Sequence, residues 1–186
     1  AYAIYDPLMK RTAEGEVAPY LAESMEPNED FTQWTLTLRP DVQFHDDTPL
    51  NAEALKTIFD TYLKAPTSNA ANTLAGITLE VVDDLTVRYD LEEPNSAFPD
   101  ILTDAPGWPF SPTAAARFGE DAGANPVGTG PFRFVSWQRD SNLVVERNEN
   151  YWQDGLPYLD GITFRPIPDE DTRLASLESG DIDALQ

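Results

Sequence analysis

His45 is the only histidine in the chain and cysteine is absent, so the side chains that most often hold transition metals, or pair as nucleophile and base, are nearly missing. A zinc or nickel centre built from protein groups ordinarily needs several of them. A Ser-His-Asp arrangement would have to use His45 itself, in an expected strand beside a turn. Carboxylates are abundant instead, 33 acids against 12 bases. Adjacent acids such as Asp46 and Asp47, Asp83 and Asp84, or Glu92 and Glu93 are raw material for glycoside hydrolysis, which sets two carboxyls across one bond. None of these pairs stands in a recognisable motif, and a chain this acidic provides them by chance. A hydrolase working through acidic residues is therefore the weaker alternative. Asp169, Asp171, Asp181 and Asp183 are not arranged as a calcium loop with its turn glycine and closing glutamate; a helix cap and a solvated strand end account for them.

Residues 126–132, Pro-Val-Gly-Thr-Gly-Pro-Phe, suggest a phosphate loop, but no Gly-Lys-Ser/Thr follows and a strand, not a helix, comes next. Two glycines around Thr129, closed by Pro131, read as a rigid turn that seats a sheet. Tyr151, Trp152 and Tyr158 could offer a platform for sugars or peptides, although aromatics beside a strand more commonly cover a sheet. Residues 104–109, Asp-Ala-Pro-Gly-Trp-Pro, form a turn-rich loop with one charge and one large aromatic. Binding residues collect on such loops when a rigid scaffold holds them. Trp108 serves equally well as a cover for the core.

The elements that must position these groups show in the periodicity. Residues 4–8 carry Ile4, Tyr5 and Leu8 at helical spacing, bounded by Asp6-Pro7. Residues 17–21 read as a short strand or an extended run, since Pro19 excludes a central ladder position. Residues 31–38 alternate, with Trp34, Leu36 and Leu38 on one face, and residues 42–45 pair back after a turn. Asn51 caps a helix whose stripe is Leu55, Ile58, Phe59, Tyr62 and Leu63, stopped by Pro66. A polar loop covers 67–72. Residues 77–81 and 85–91 form a hairpin around Asp83-Asp84. A short helix or turn covers 95–102. Ser111 and Pro112 open a brief helix that Gly119 ends. Strands follow at 132–137, 143–147 and 162–167. A helix spans 171–179, with Leu174 and Leu177 buried and Gly180 at its end, and a strand is expected at 181–185.

Composition excludes several partners. The formal charge of −21 repels nucleic acid and anionic membrane surfaces. No apolar run approaches the ~20 residues of a membrane span. Nothing calls for a cofactor. The chain starts without a methionine or signal peptide and stops on an apparently unfinished strand, so both ends look cut.

The motifs, taken in order, resemble a known family. IYDPL, VAPYLAESME, WTLTLRPDVQFHDDTPLNAEALK, VVDDLTVRYDLEEP, GTGPFRFVSW, VVERNENYW and PYLDGITFRPIPDEDTRLASLESGDIDAL are similar to stretches of the family 5 extracellular solute-binding proteins of ABC importers, the peptide-, oligopeptide- and nickel-type receptors. The resemblance implies an α/β fold, the mixed-sheet first lobe of a type II periplasmic-binding-protein-like architecture. Residues 1–186 then make one lobe, with a sheet core from 1–24 and 106–186 and an extra subdomain from 25–105. On that resemblance the leader, the first strand and the second lobe are expected to be missing from this sequence. It implies a non-enzymatic receptor, periplasmic or extracellular and sometimes lipid-anchored, that captures a peptide or similar solute between two lobes and delivers it to permease subunits. An oligosaccharide or another solute is the alternative cargo. The segment before the Pro112 helix and the loop after the long helix would face the cleft, which assigns ligand contacts to Asp104, Gly107, Trp108 and Pro109, and to Asn69 and Asn72. Nickel-type relatives carry an arginine in each of these loops; this chain has none there, so an anionic metal chelate is disfavoured. The family pattern Phe-His-Asp-Gly has Asp47 in place of glycine, which questions that turn. Without its second lobe the chain is expected to bind weakly, and its uncovered lobe surface to favour self-association.

Overall fold

The computed structural model describes residues 3–65 and 69–185. A two-stranded ribbon, β1 (Met9–Arg11) with β2 (Val17–Pro19), leads into a four-stranded sheet of β3 (Ala22–Pro27), β4 (Gln33–Leu38), β5 (Ile77–Val81) and β6 (Thr86–Leu91). Its strand order is β3-β4-β6-β5. All strand pairs described are antiparallel. Alternation places Trp34, Leu36 and Leu38 of β4 on the same buried face as Val87 and Tyr89 of β6.

Helix α1 (Ala52–Leu63) covers that face. The Asn51 Oδ1 accepts the Ala54 N–H at 2.9 Å, and Glu53 occupies the first turn, as its cap sequence predicts. Leu55, Ile58 and Phe59 are buried, each contributing about 1.5–3 kcal/mol of apolar burial. Phe59 meets Tyr89 edge-on at 6.1 Å, and Tyr89 meets Phe98 at 5.0 Å. The far end of the stripe differs: Tyr62 is half-buried and Leu63 exposed, because the helix runs past the sheet there.

A short helix, α2 (Asn69–Thr73), follows where a polar loop is expected over 67–72; Thr67 and Ser68 lie outside the described residues. Then come α3 (Phe98–Ile101) and α4 (Pro112–Phe118), the latter capped by the Ser111 hydroxyl on the Ala114 N–H. Strands β7 (Phe132–Gln138), β8 (Asn142–Arg147) and β9 (Gly161–Phe164) form a second sheet whose small core joins Phe132 and Val145 to Ile4. The α/β organisation expected from the motifs is present.

Several local expectations fail for identifiable reasons. Residues 4–8 are not helical, since their backbone groups bond other segments: the Ile4 carbonyl accepts Gly130 N–H at 2.9 Å, and the Leu8 N–H donates to Gly107 O at 2.7 Å. Residues 42–45 pair with 48–50 by local bonds such as Leu50 N–H to Val42 O, closing a turn of their own. In that turn Asp47 takes φ +62°, a left-handed conformation that aspartate tolerates. The turn therefore forms without glycine. Helix α5 (Glu170–Ser179) buries neither leucine; Leu174 is 51% exposed because nothing among the described residues packs over it. Residues 181–185 do not form a strand; after Gly180 (φ +79°) the chain folds back, the Asp181 N–H donating to Ser176 O.

Candidate functional site

The turn at 126–132 is held from three sides. Gly130 N–H bonds Ile4 O, His45 N–H bonds Gly128 O at 2.9 Å, and Asn148 Nδ2 donates to Gly130 O at 3.1 Å. His45 Nε2 lies 2.9 Å from the same Gly130 carbonyl, so it carries the proton. Burial lowers the histidine pKa, keeping the ring neutral. His45 is thus a structural donor. A Cβ at Gly128 would sit 2.2 Å from Ile4 O, and one at Gly130 2.6 Å from Ile4 C, so only glycine admits this approach. The approach fixes the irregular run that carries Tyr5.

Beside that junction lies an open cavity of about 420 Å³. Tyr5 comes from the run against the glycines, Tyr62 from the last turn of α1, Trp108 and Phe110 from the segment before α4, Ala115 from α4, and Val127 from the central turn. Tyr62 and Phe110 meet edge-on at 5.6 Å. The Tyr62 hydroxyl donates to Trp108 O at 3.3 Å, and the Trp108 indole N–H donates to Thr103 O at 3.2 Å. Burial pushes the Tyr62 phenol up to about 12 and also raises Tyr5, so both stay neutral. The Ser111 hydroxyl at the rim donates to Asp46 Oδ2 at 2.5 Å. Burial would raise the Asp46 carboxyl, but the Ser111 and Thr48 hydroxyls hold it below its ordinary value.

The six residues assigned to ligand contact are not brought to one place. Trp108 lines the cavity. Gly107 is buried, and a Cβ there would lie 2.0 Å from Leu102 O; its carbonyl accepts Leu8 N–H. Pro109 is buried next to Trp108. Asp104 caps the following turn through Ala105 N–H at 2.8 Å and lines a second, polar depression with Lys10, Arg11, Thr73 and Asp100. Arg11 is paired with Asp100 there. Asn69 and Asn72 are exposed on α2 and line neither hollow. Among the described residues, no three of His, Cys, Asp and Glu cluster as metal ligands.

Sequence reasoning passed over Tyr5, Tyr62 and Phe110, each of which reads as a core residue. The one available signal was that Tyr62 lies in the last turn of the α1 stripe, where cover runs out. It also passed over a buried polar network. Asp6 Oδ2 accepts the Tyr151 hydroxyl at 2.9 Å and the Trp152 indole N–H at 2.8 Å, and Tyr20 bridges Tyr151 to Gln153. Tyr151 and Trp152 therefore serve the framework, while Tyr158 stands in solvent.

Comparisons with known proteins bear on the family and the fold. A family model described as Bacterial extracellular solute-binding proteins, family 5 Middle, matches residues 16–186. The glutathione-binding protein GsiB of Pectobacterium atrosepticum is 38% identical, the match covering 97% of this chain and 36% of that protein. Among solved structures, AgaA from A. tumefacien R10 in complex with agropinic acid superposes with a TM-score of 0.89 at 31% identity, covering 97% of this chain and 37% of that one. NikA from Brucella suis in complex with Fe(III)-EDTA gives 0.85 at 32%, with 97% and 37% covered. DppA from Helicobacter pylori in complex with peptide STSA gives 0.85 at 27%, with 97% and 40% covered. The chain spans little more than a third of the length of the relatives it matches. With the motifs, the fold and a family match over residues 16–186 in agreement, the chain belongs to the bacterial extracellular solute-binding proteins, family 5.

Proposed function

We propose that this chain supplies the first lobe of the substrate-binding component of an ABC importer, working in the periplasm or outside the cell, free or lipid-anchored. It captures a peptide or comparable small solute against a second lobe and hands it to permease subunits. The observation that carries this reading is the open cavity of about 420 Å³ walled by Tyr5, Tyr62, Trp108 and Phe110. A hollow of that size, apolar and mostly preformed, suits a small-molecule ligand. Closure of two lobes is driven by contacts the ligand makes only in the closed form. Trp108 stands at the wall, Gly107 and Pro109 shape its loop, and Asp104, Asn69 and Asn72 lie on flanking surface that the opposing lobe approaches. Side chains left in solvent, Tyr158, Leu159 and Leu174, are the surface through which the chain alone self-associates. No catalytic step is assigned.

Thermal-shift screening of the intact protein against di- to hexapeptides, oligosaccharides and metal chelates tests the reading, with calorimetry on each hit. A peptide hit weakened by Trp108→Ala is the expected result. A sugar hit moves the ligand class and leaves the family untouched. No shift with any solute refutes capture at this wall.

A further inference from the structure

We infer that the cavity selects its ligand by charge: it takes an uncharged aromatic or branched aliphatic side chain of a bound peptide and turns carboxylates and ammonium groups away. The inference rests on the capture reading above and narrows it to a ligand class.

Charged residues make up 24% of the chain, yet among the described residues none of the thirteen lining the cavity is Asp, Glu, Lys, Arg or His. Random sampling of this sequence would place about three there, and the aromatic walls occupy their room. Several polar groups at the wall are engaged elsewhere. Tyr62 OH donates to Trp108 O, Ser111 OH to Asp46, and Asn125 Nδ2 to Asp121 O. A carboxylate entering the hollow would lose water and gain no cation, a cost that grows with enclosure. The net charge of −21 adds long-range repulsion against an anion. An ammonium fares little better, since no carboxylate stands among the described lining residues and Asp46, which Ser111 of the wall contacts, is already satisfied by Ser111 and Thr48. Lys10 and Arg11 line the other depression.

An apolar ring meets the opposite circumstances. It buries its surface against Tyr5, Tyr62, Trp108 and Phe110, and aromatic edges and faces are both presented, as the 83° Tyr62–Phe110 contact shows. The volume accommodates a phenyl or indole group with part of its peptide backbone.

The test is isothermal titration calorimetry of the intact protein with Ala-Ala-Ala and with tripeptides bearing Phe, Leu, Glu or Lys at each position in turn. Expected is one position at which Phe or Leu binds about tenfold or more tighter than Ala, Glu or Lys. Ala115→Leu, which fills the cavity from α4, narrows the Phe-to-Ala ratio. Gly123→Leu is a second filling variant, since an added Cβ there meets no atom within 4 Å. Thr61→Arg, on the exposed lip of α1, raises the affinity for Glu peptides. Equal binding of Phe, Glu and Lys at every position, or a preference untouched by both filling variants, overturns the charge selection while leaving capture standing. Absence of binding by every peptide, together with no hit among sugars and chelates, overturns the capture reading and this inference with it.

Discussion

Asp6 is only 4% exposed, and its carboxylate accepts hydrogen bonds from Tyr151 and Trp152, with no ion pair among the described residues. Burial pushes its pKa from 3.8 to about 6; the hydrogen bonds from Trp152 and Tyr151 and the charge of Lys10 pull the other way without prevailing. For an acid whose folded pKa lies above its unfolded one, the folded state holds the proton more tightly. Stability therefore falls as pH rises through the interval from 3.8 to about 6, and the full cost is in place above it. At about 1.4 kcal/mol per pH unit, the whole displacement amounts to about 3 kcal/mol, of which about 2 accrues between pH 4 and 7. Asp6→Asn preserves the shape and the acceptor oxygen but does not titrate. Urea unfolding of both proteins at pH 4, 5, 6 and 7 isolates the effect, because every other ionisable group is common to the pair. The expected outcome is that the variant gains about 2 kcal/mol on the wild type over that range. Parallel stability profiles would refute the account of a desolvated carboxyl at this position.

His45 gives a shift of opposite consequence. Its folded pKa is lowered below 6.5 by burial, so the wild type loses stability relative to His45→Gln as pH falls below 6.5, measurable in the same urea series. Gly128→Ala sets a Cβ 2.2 Å from Ile4 O and costs about 3 kcal/mol, whereas Gly123→Ala meets nothing within 4 Å and stays within about 0.5 kcal/mol; thermal melts distinguish them. Asn51→Ala removes the bond to Ala54 N–H and costs about 1 kcal/mol by denaturant midpoint.

What was legible in the sequence is what neighbours in the chain decide. The Asn51 cap, the Ser111–Pro112 start, the hairpin of β5 and β6 and the alternation of Trp34, Leu36 and Leu38 each depend on residues a few positions apart, and each is found as expected. Where the signal was equally clear and the outcome differed, a distant partner outbid local preference. Ile4 and Leu8 have helical spacing, but Gly130 and Gly107 take their backbone bonds. Leu174 and Leu177 have the spacing of a buried stripe, yet no described element covers α5. The family motifs compensate for some of this, because a motif such as the one from 126 to 132 encodes a junction of Ile4, His45 and Asn148 that no window around it contains.

Trp108 apart, which the family resemblance pointed to, the cavity lies beyond both kinds of signal. Tyr5, Tyr62, Trp108 and Val127 come from four separate elements, and each one alone is indistinguishable from a core residue. Its most informative property, freedom from charge in a chain carrying 33 acids and 12 bases, belongs to the set and to no member of it. The same reasoning explains why Asp104 and Trp108, four residues apart in one loop, part company. The intervening turn is fixed by the Asp104 cap and by the contact of Gly107 with Leu102, and it sends the charge to one hollow and the indole to the other. The turn thereby sorts the Asp104 carboxylate and the Trp108 indole between two hollows, and Gly107, whose contact with Leu102 leaves no room for a Cβ, is the residue that makes the sorting possible.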